Sequence, residues 1–221
     1  TKVYDCLSHD FVYHDLSKMM IFPGNHDTDR IGDVVRQNPD RMKLVMTMMA
    51  TMRGFPQIFA GDEMMFVSKD KSQGHGGLRV DFPGGWNGDK ENWFTEEGRK
   101  AALTGTDGKP VPAGQVAELH DFTRKLFQWR KGKSVIHDGK TLHFLSRDNT
   151  YAYFRYNADE AVFVFINNSR GRKSIPWSHY AEIAEGLHDG KNVLTGEAVE
   201  VNDSTVVGPR KALVVEYKRK K

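Results

Sequence analysis

A short apolar run, residues 19–22, leads directly into a loop crowded with polar side chains. Within six residues this loop presents Asn25, His26, Asp27 and Arg30. The apolar run predicts a β-strand, so the polar side chains follow at the point where the strand ends and the chain meets solvent. Hydrogen-bonding and charged groups at the carboxyl ends of strands are typical of the active-site mouth of an α/β barrel.

The residues after this loop predict a helix and then a second strand. Asn38 is a polar cap, Pro39 occupies the first helical position, and apolar residues follow at helical spacing. A second apolar segment, residues 55–60, leads into Asp62 and Glu63. Strand, helix and strand at this spacing predict a parallel βαβ unit. For the two acids, a structural hydrogen-bond or ion-pair role is favoured over a metal-binding or catalytic role.

The rest of the chain changes in character near residue 138. Residues 65–112 are predicted to form a long loop, and loops of this length are usually functional. A second helix is predicted over residues 114–131, where basic residues and a glycine mark its end. Short segments at regular spacing then predict an antiparallel β-sandwich. Its predicted strands cover residues 141–147, 151–157, 160–167, 192–194, 197–201, 205–207 and 212–217, with a short helical insertion at 180–187. The predicted domains are therefore residues 1–137 and 138–221.

Composition excludes several classes of function. The net charge is only +3, which gives no general attraction to nucleic acid or to an anionic membrane. The single cysteine, Cys6, rules out an intrachain disulfide. This fits a bacterial cytoplasm and also allows a periplasmic location. No apolar run reaches the length of a transmembrane helix, and a signal peptide is not expected in an internal fragment.

The order of the motifs resembles a known family. The chain carries an NHD motif at residues 25–27, a helix, a G-x-P…G-x-E segment at 54–63, a long loop, a final helix and a β-sandwich. This order resembles the last quarter of the (β/α)₈ barrel of the α-amylase family of glycoside hydrolases, followed by its C-terminal all-β domain. The two predicted strands correspond to barrel strands seven and eight. Residues 78–86 (LRVDFPGGW) and 192–197 (NVLTGE) resemble the neopullulanase and cyclomaltodextrinase branch.

The resemblance implies specific roles for the first motif. Retaining glycosidases need a nucleophile and an acid/base about 5 Å apart, and the family takes these two carboxyls from strands four and five. The resemblance assigns a third, stabilising carboxylate to Asp27, which would bind sugar hydroxyls and help to distort the ring. His26 would bind hydroxyls of the same sugar. Asn25 and Arg30 are expected beside them as substrate-binding or orienting groups.

Further candidate residues lie in the loop after the second strand. Arg79 and Asp81 resemble the family's nucleophile signature, in which an Arg lies two residues before the Asp. They follow the NHD motif, however, whereas the family's nucleophile precedes it. Both are therefore assigned to the strand-eight loop, where they would line distal substrate subsites. Trp86, Trp93 and Phe94 are expected either to stack on sugar faces or to anchor the loop, and the sequence leaves both alternatives open.

The resemblance also sets expectations for the whole protein. The parent would be a retaining α-glucan hydrolase that cleaves α-1,4 bonds, with α-1,6 bonds as an alternative, in maltooligosaccharides, pullulan or cyclodextrins. This chain lacks the strands that carry the nucleophile and the acid/base, so the chain alone is expected to be inactive. Its expected partners are an α-glucan, the remainder of the barrel and a second copy in a homodimer. No organic cofactor is implied and no metal ligands are assigned, although calcium is common in the family. A non-catalytic glucan-binding module and an α-glucan transferase remain alternatives.

Overall fold

The computed structural model describes residues 2–84, 86–89, 92–93, 95, 97, 103–104, 110–111, 113–202 and 204–220. The chain divides into two compact units. The first unit comprises Thr1–Ile21, Thr47–Phe55 and Lys125–Lys221, and the second comprises Phe22–Met46 and Pro56–Arg124. The NHD motif and the long loop belong to the second unit, and the predicted β-domain belongs to the first. The predicted domain boundary at residue 138 falls inside the first unit.

Helices and strands alternate in the first half of the chain, and strands dominate the second half. The helices are α1 (Lys2–Leu7), α2 (Ile31–Val34), α3 (Pro39–Thr51), α4 (Ala113–Lys131), α5 (Ser134–His137) and α6 (Ala181–Ala184). The strands are β1 (Met20–Ile21), β2 (Phe55–Pro56), β3 (Leu103–Thr104), β4 (Pro110–Val111), β5 (Lys140–His143), β6 (Thr150–Tyr156), β7 (Glu160–Asn167), β8 (Lys173–Ser174), β9 (Leu187–Asn192), β10 (Val206–Val207) and β11 (Lys211–Arg219). Among the described helices, none has the length and apolar character needed to cross a bilayer.

The two predicted long helices are confirmed, and the two predicted barrel strands are short. The Asn38 side chain accepts a hydrogen bond from the Arg41 N–H at 2.9 Å, so α3 begins at the predicted cap. Strands β1 and β2 pair with each other, and the Phe55 N–H donates to the Met19 carbonyl at 2.9 Å. Gly54 allows this close approach, because a Cβ atom there would lie 2.2 Å from the Met19 carbonyl oxygen.

The core of the second unit forms around methionines. Met42 and Met46 of α3 pack in one cluster with Met64, Met65 and Leu119. All five side chains are fully buried. Methionine fills irregular space well, so the methionines of α3 serve to pack this core.

The first unit contains the predicted antiparallel β-domain. Five strands form a sheet in the order β5-β6-β7-β11-β9, and a two-stranded sheet pairs β8 with β10. One face of the large sheet is covered by a segment that carries Trp177 and Tyr180, whose rings lie 4.6 Å and 5.6 Å from that of Phe163. The second layer of the domain is therefore built from the small sheet and from this helical segment, residues 177–184.

Several details of the predicted β-domain are wrong, and the strand expected at residues 141–147 is β5, which ends at His143. The strand expected at residues 192–194 is β9, which covers Leu187–Asn192 instead. The strand expected at residues 197–201 is absent from the described structure, where Ala198 makes only an isolated bridge to Lys191. The helical insertion begins earlier than predicted, at Trp177. Side-chain alternation did not predict β9 because its sequence, LHDGKN, is mostly polar.

Buried polar contacts join two segments of the first unit, Thr47–Phe55 and Lys125–Lys221. Arg130 of α4 donates to the carbonyls of Ala50, Met52 and Gly54 at 2.9, 3.1 and 2.5 Å. Thr51 of α3 and Tyr153 of β6 share a hydrogen bond of 2.5 Å between their hydroxyls. These contacts explain why residues 47–55 and 125–137 belong to the same unit as the sheet.

Candidate active site

The loop after β1 is shaped by its own backbone and side chains. The Asn25 side-chain oxygen accepts a hydrogen bond from the Asp27 N–H at 2.9 Å. The Asn25 N–H donates to the Thr28 hydroxyl at 2.8 Å. Such local bonds fix a tight turn without any need for regular secondary structure. The structure thus gives Asn25 an orienting role in the turn that presents His26 and Asp27.

The Asp27 carboxylate lies at the centre of the described site. Its Oδ2 atom lies 3.2 Å from Nε2 of His26. Its Oδ1 atom accepts a hydrogen bond from Nη2 of Arg79 at 3.2 Å and lies 3.3 Å from Nδ1 of His75. The Asp27 side chain is 54% exposed and the other three are exposed to a similar degree. The group therefore combines a negative charge with one hydrogen-bond donor, Arg79, and two imidazole nitrogens within 3.3 Å, and it remains open to a ligand.

Arg30 lies beneath this group, not on its surface. Its side chain is only 1% exposed. Its Nε donates to the Leu78 carbonyl at 2.8 Å, and its Nη1 donates to the Ala60 carbonyl at 2.7 Å and to Asp62 at 3.1 Å. The guanidinium carbon also lies 3.7 Å from the ring centre of Phe59. In this structure Arg30 does not reach a surface ligand, and it joins the loops on which the site is built.

Asp62 and Glu63 have the structural roles that the sequence favours. Asp62 forms a buried ion pair with Arg30. Burial raises the pKa of Asp62 to about 6 and outweighs the opposite effects of the hydrogen bond and the charge of Arg30. The Glu63 side chain accepts a hydrogen bond from the Gly61 N–H at 3.0 Å. In the part of the chain that the structure describes, no group of three His, Cys, Asp or Glu side chains could hold a metal ion.

The remaining predicted residues separate into exposed and buried groups. Asp81 is exposed, and Trp86 is 78% exposed. Trp93 is buried in the core of the second unit, where its ring centre lies 5.7 Å from that of His120 in a T-shaped arrangement. Trp93 therefore anchors the loop, while Trp86 stays a candidate for stacking on a sugar. Phe94 lies outside the described residues.

The structure corrects the position of Arg79 and adds His75. The sequence placed Arg79 at distal subsites, but its guanidinium contacts Asp27, because the chain before it folds back towards the NHD turn. His75 was not identified as a candidate. Its only sequence signal is its place between glycines in GHGG, residues 74–77, which indicates a tight and accessible loop.

Comparison with known families shows the class of protein to which the chain belongs. The model of the α-amylase catalytic domain matches residues 6–174. The model of the cyclo-malto-dextrinase C-terminal domain matches residues 141–216. Since the first match covers more than half of the chain, this chain belongs to the α-amylase family of glycoside hydrolases. It carries part of the catalytic barrel followed by the C-terminal β-domain.

Individual relatives are distant and longer. A maltogenic α-amylase from Bacillus acidopullulyticus is 25% identical over 159 residues, which cover 70% of this chain and 22% of that protein. The α-amylase from Geobacillus thermoleovorans complexed with acarbose superposes with a TM-score of 0.68 at 18% identity, over 99% of this chain and 43% of that one. AmyP in complex with maltose gives 0.71 at 13% identity, over 97% and 44%. These two structures share the fold, and this chain spans less than half of their length.

Proposed function

We propose that this chain supplies the strand-seven and strand-eight side of the active site, together with the C-terminal domain, of a retaining α-glucan hydrolase. The observation that carries the proposal is the accessible Asp27 carboxylate, held beside His26 in a turn directly after β1. Membership of the α-amylase family supports the reaction class. The names of the relatives, a maltogenic amylase and structures bound to acarbose or maltose, support an α-glucan as the substrate.

In the proposed mechanism Asp27 and His26 act on the sugar and not on the leaving group. Cleavage passes through an oxocarbenium-like transition state, in which positive charge develops on the ring. The Asp27 carboxylate accepts hydrogen bonds from ring hydroxyls and stabilises that charge through its own. His26 donates to a hydroxyl of the same sugar unit. The nucleophile and the general acid/base are assigned to other parts of the parent barrel, and no organic cofactor is needed for these steps.

The first test is Asp27→Asn in the full-length protein. Loss of the charge at the reacting sugar is expected to lower kcat on maltoheptaose by a factor of about 10² to 10³. Asp29→Asn is the matched control, because Asp29 is an exposed acid two residues further along the same loop. The 221-residue chain alone is expected to give no hydrolysis. Full activity of the Asp27→Asn enzyme, or turnover by the chain alone, would contradict the proposal.

The same assay separates the finer alternatives. Maltoheptaose, a cyclodextrin and pullulan compare α-1,4 cleavage with α-1,6 cleavage. Longer products from maltoheptaose would indicate a transferase, because transferases and hydrolases share the covalent intermediate and differ in the acceptor. A glucan-binding module is favoured only by the exposed ring of Trp86. Saturable binding of maltoheptaose without hydrolysis by the full-length protein would support that reading.

A further inference from the structure

The segment before Arg79 is a closed loop. The Lys69 N–H donates to the Gly77 carbonyl at 2.9 Å, and the Ser68 hydroxyl donates to the same carbonyl at 3.2 Å. Asp70 begins the loop by accepting a hydrogen bond from the Ser72 N–H at 2.9 Å. Residues 69–77 therefore form a small ring whose two ends are tied together. We name it the histidine loop.

The histidine loop closes tightly because it contains Gly77. A Cβ atom on Gly77 would lie 1.8 Å from the Asp70 carbonyl oxygen, so only glycine allows the two ends to meet. Just beyond the closure, Leu78 is buried and its carbonyl is held by Arg30. These contacts fix the backbone directly before Arg79.

The histidine loop and the residue that follows it bring two nitrogen-bearing side chains to one carboxylate oxygen. Oδ1 of Asp27 accepts a hydrogen bond from Arg79 and lies close to Nδ1 of His75, while Oδ2 lies beside Nε2 of His26. Ion pairs between groups that are more than half exposed contribute little to folding stability. Their effect is instead geometric, since a carboxylate held through both oxygens cannot rotate freely about its own bond.

We propose that His75 and Arg79 are positioning residues, which hold the Asp27 carboxylate in the orientation that receives the hydroxyls of an α-linked glucose unit. This inference rests on the proposed function and extends it to the histidine loop. The two residues act through Asp27, before and during the reaction. They therefore affect the transition state more than the binding of the substrate ground state.

The test uses His75→Ala and Arg79→Ala in the full-length protein, with maltoheptaose as the substrate. Each change is expected to lower kcat by about 10-fold to 100-fold, as small misplacements of catalytic groups do, with little change in KM. His75→Gln and Arg79→Lys keep a donor and are expected to recover part of the loss. Lys71→Ala is the matched control, because its ammonium lies 3.5 Å from Asp33 and not beside Asp27.

A double-mutant cycle separates positioning from a merely structural role. In an Asp27→Asn background, His75→Ala and Arg79→Ala are expected to have almost no further effect on kcat. An equal loss in both backgrounds would overturn the inference, and so would unchanged or increased kcat in the single variants. If an alanine variant fails to fold, the glutamine and lysine variants carry the same cycle. An active Asp27→Asn enzyme would instead remove the proposed function itself.

Discussion

At the scale of single residues, position in the fold decides the role of each polar group in the NHD loop. Local sequence predicted the pair of His26 and Asp27, because both belong to one turn. It could not predict that Arg30 is buried, since that depends on Phe59, Asp62 and other residues that are distant along the chain. Charged side chains are rarely buried unless they are paired. The burial of Arg30 is thus a property of the folded unit and not of the motif.

The first prediction concerns this buried ion pair. Arg30→Met is expected to destabilise the protein by about 3 to 5 kcal/mol, because it leaves the Asp62 carboxylate and two carbonyls without their donor. Adding Asp62→Asn is expected to restore part of that loss, since the second change removes the uncompensated charge. Thermal unfolding followed by circular dichroism measures both effects. The exposed Arg36, changed to Met, is the control, and an equal loss in that variant would contradict the argument.

The second prediction concerns pH. Burial raises the pKa of Asp62 to about 6 in the folded state, against an ordinary value of 3.8. The folded state therefore binds this proton more tightly than the unfolded state, and the unfolding free energy gains from Asp62 as the pH falls from 7 to 4. Relative to Asp62→Asn, the gain is about 3 kcal/mol at most. Unfolding experiments on both proteins across this pH range measure the gain. A difference in unfolding free energy that stays constant with pH would show that Asp62 has the same pKa in the folded and unfolded states.

At the scale of elements, helices were easier to predict than the strands that build the site. Helix α3 carries its own signals, a cap at Asn38 and apolar residues at helical spacing, and it forms where these signals place it. Strand β9 carries no such signal, because contacts with its neighbours determine it. Its Gly190 faces the Val199 carbonyl and the Tyr217 ring, where a Cβ atom would lie 2.1 Å and 2.2 Å from its neighbours. The contact between Arg79 and Asp27, which are 52 residues apart in the chain, likewise could not be predicted from the local sequence.

The third prediction tests the histidine loop as an element. Gly77→Ala is expected to open the loop, because its Cβ atom would lie 1.8 Å from a backbone oxygen that cannot move away alone. The cost is about 1 to 3 kcal/mol of stability, with a loss of activity on maltoheptaose in the full-length protein. Gly76→Ala is the control one residue away, where the nearest atom lies at 3.8 Å. Equal behaviour of the two variants would show that loop closure is not needed.

At the scale of the whole molecule, the division seen along the sequence differs from the division into compact units. The change of sequence texture near residue 138 lies close to residue 141, where the match of the C-terminal domain model begins. The first unit nevertheless recruits residues 47–55 and the end of α4. The change near residue 138 is a change in the local pattern of apolar and polar side chains, whereas a compact unit is defined by contacts between segments. Hydrogen bonds from one buried arginine to several carbonyls leave no periodic trace in the sequence.

The last prediction tests that recruitment at Arg130. The final carbonyls of a helix lack intrahelical partners, and Arg130 satisfies three carbonyls at and beyond the end of α3. Arg130→Met keeps an unbranched apolar stem and removes every donor, so it is expected to cost about 3 to 5 kcal/mol through unsatisfied buried carbonyls. Arg124→Met on the same helix is the control, because its side chain is exposed and, among the described residues, pairs with Asp121 at 3.6 Å. This change is expected to alter stability by less than about 0.5 kcal/mol. Hydrogen exchange should locate the loss, with faster exchange of the amides at the end of α3 in the Arg130 variant. Unchanged exchange there, despite a lower melting temperature, would mean that Arg130 stabilises the first unit by packing and not by joining its segments.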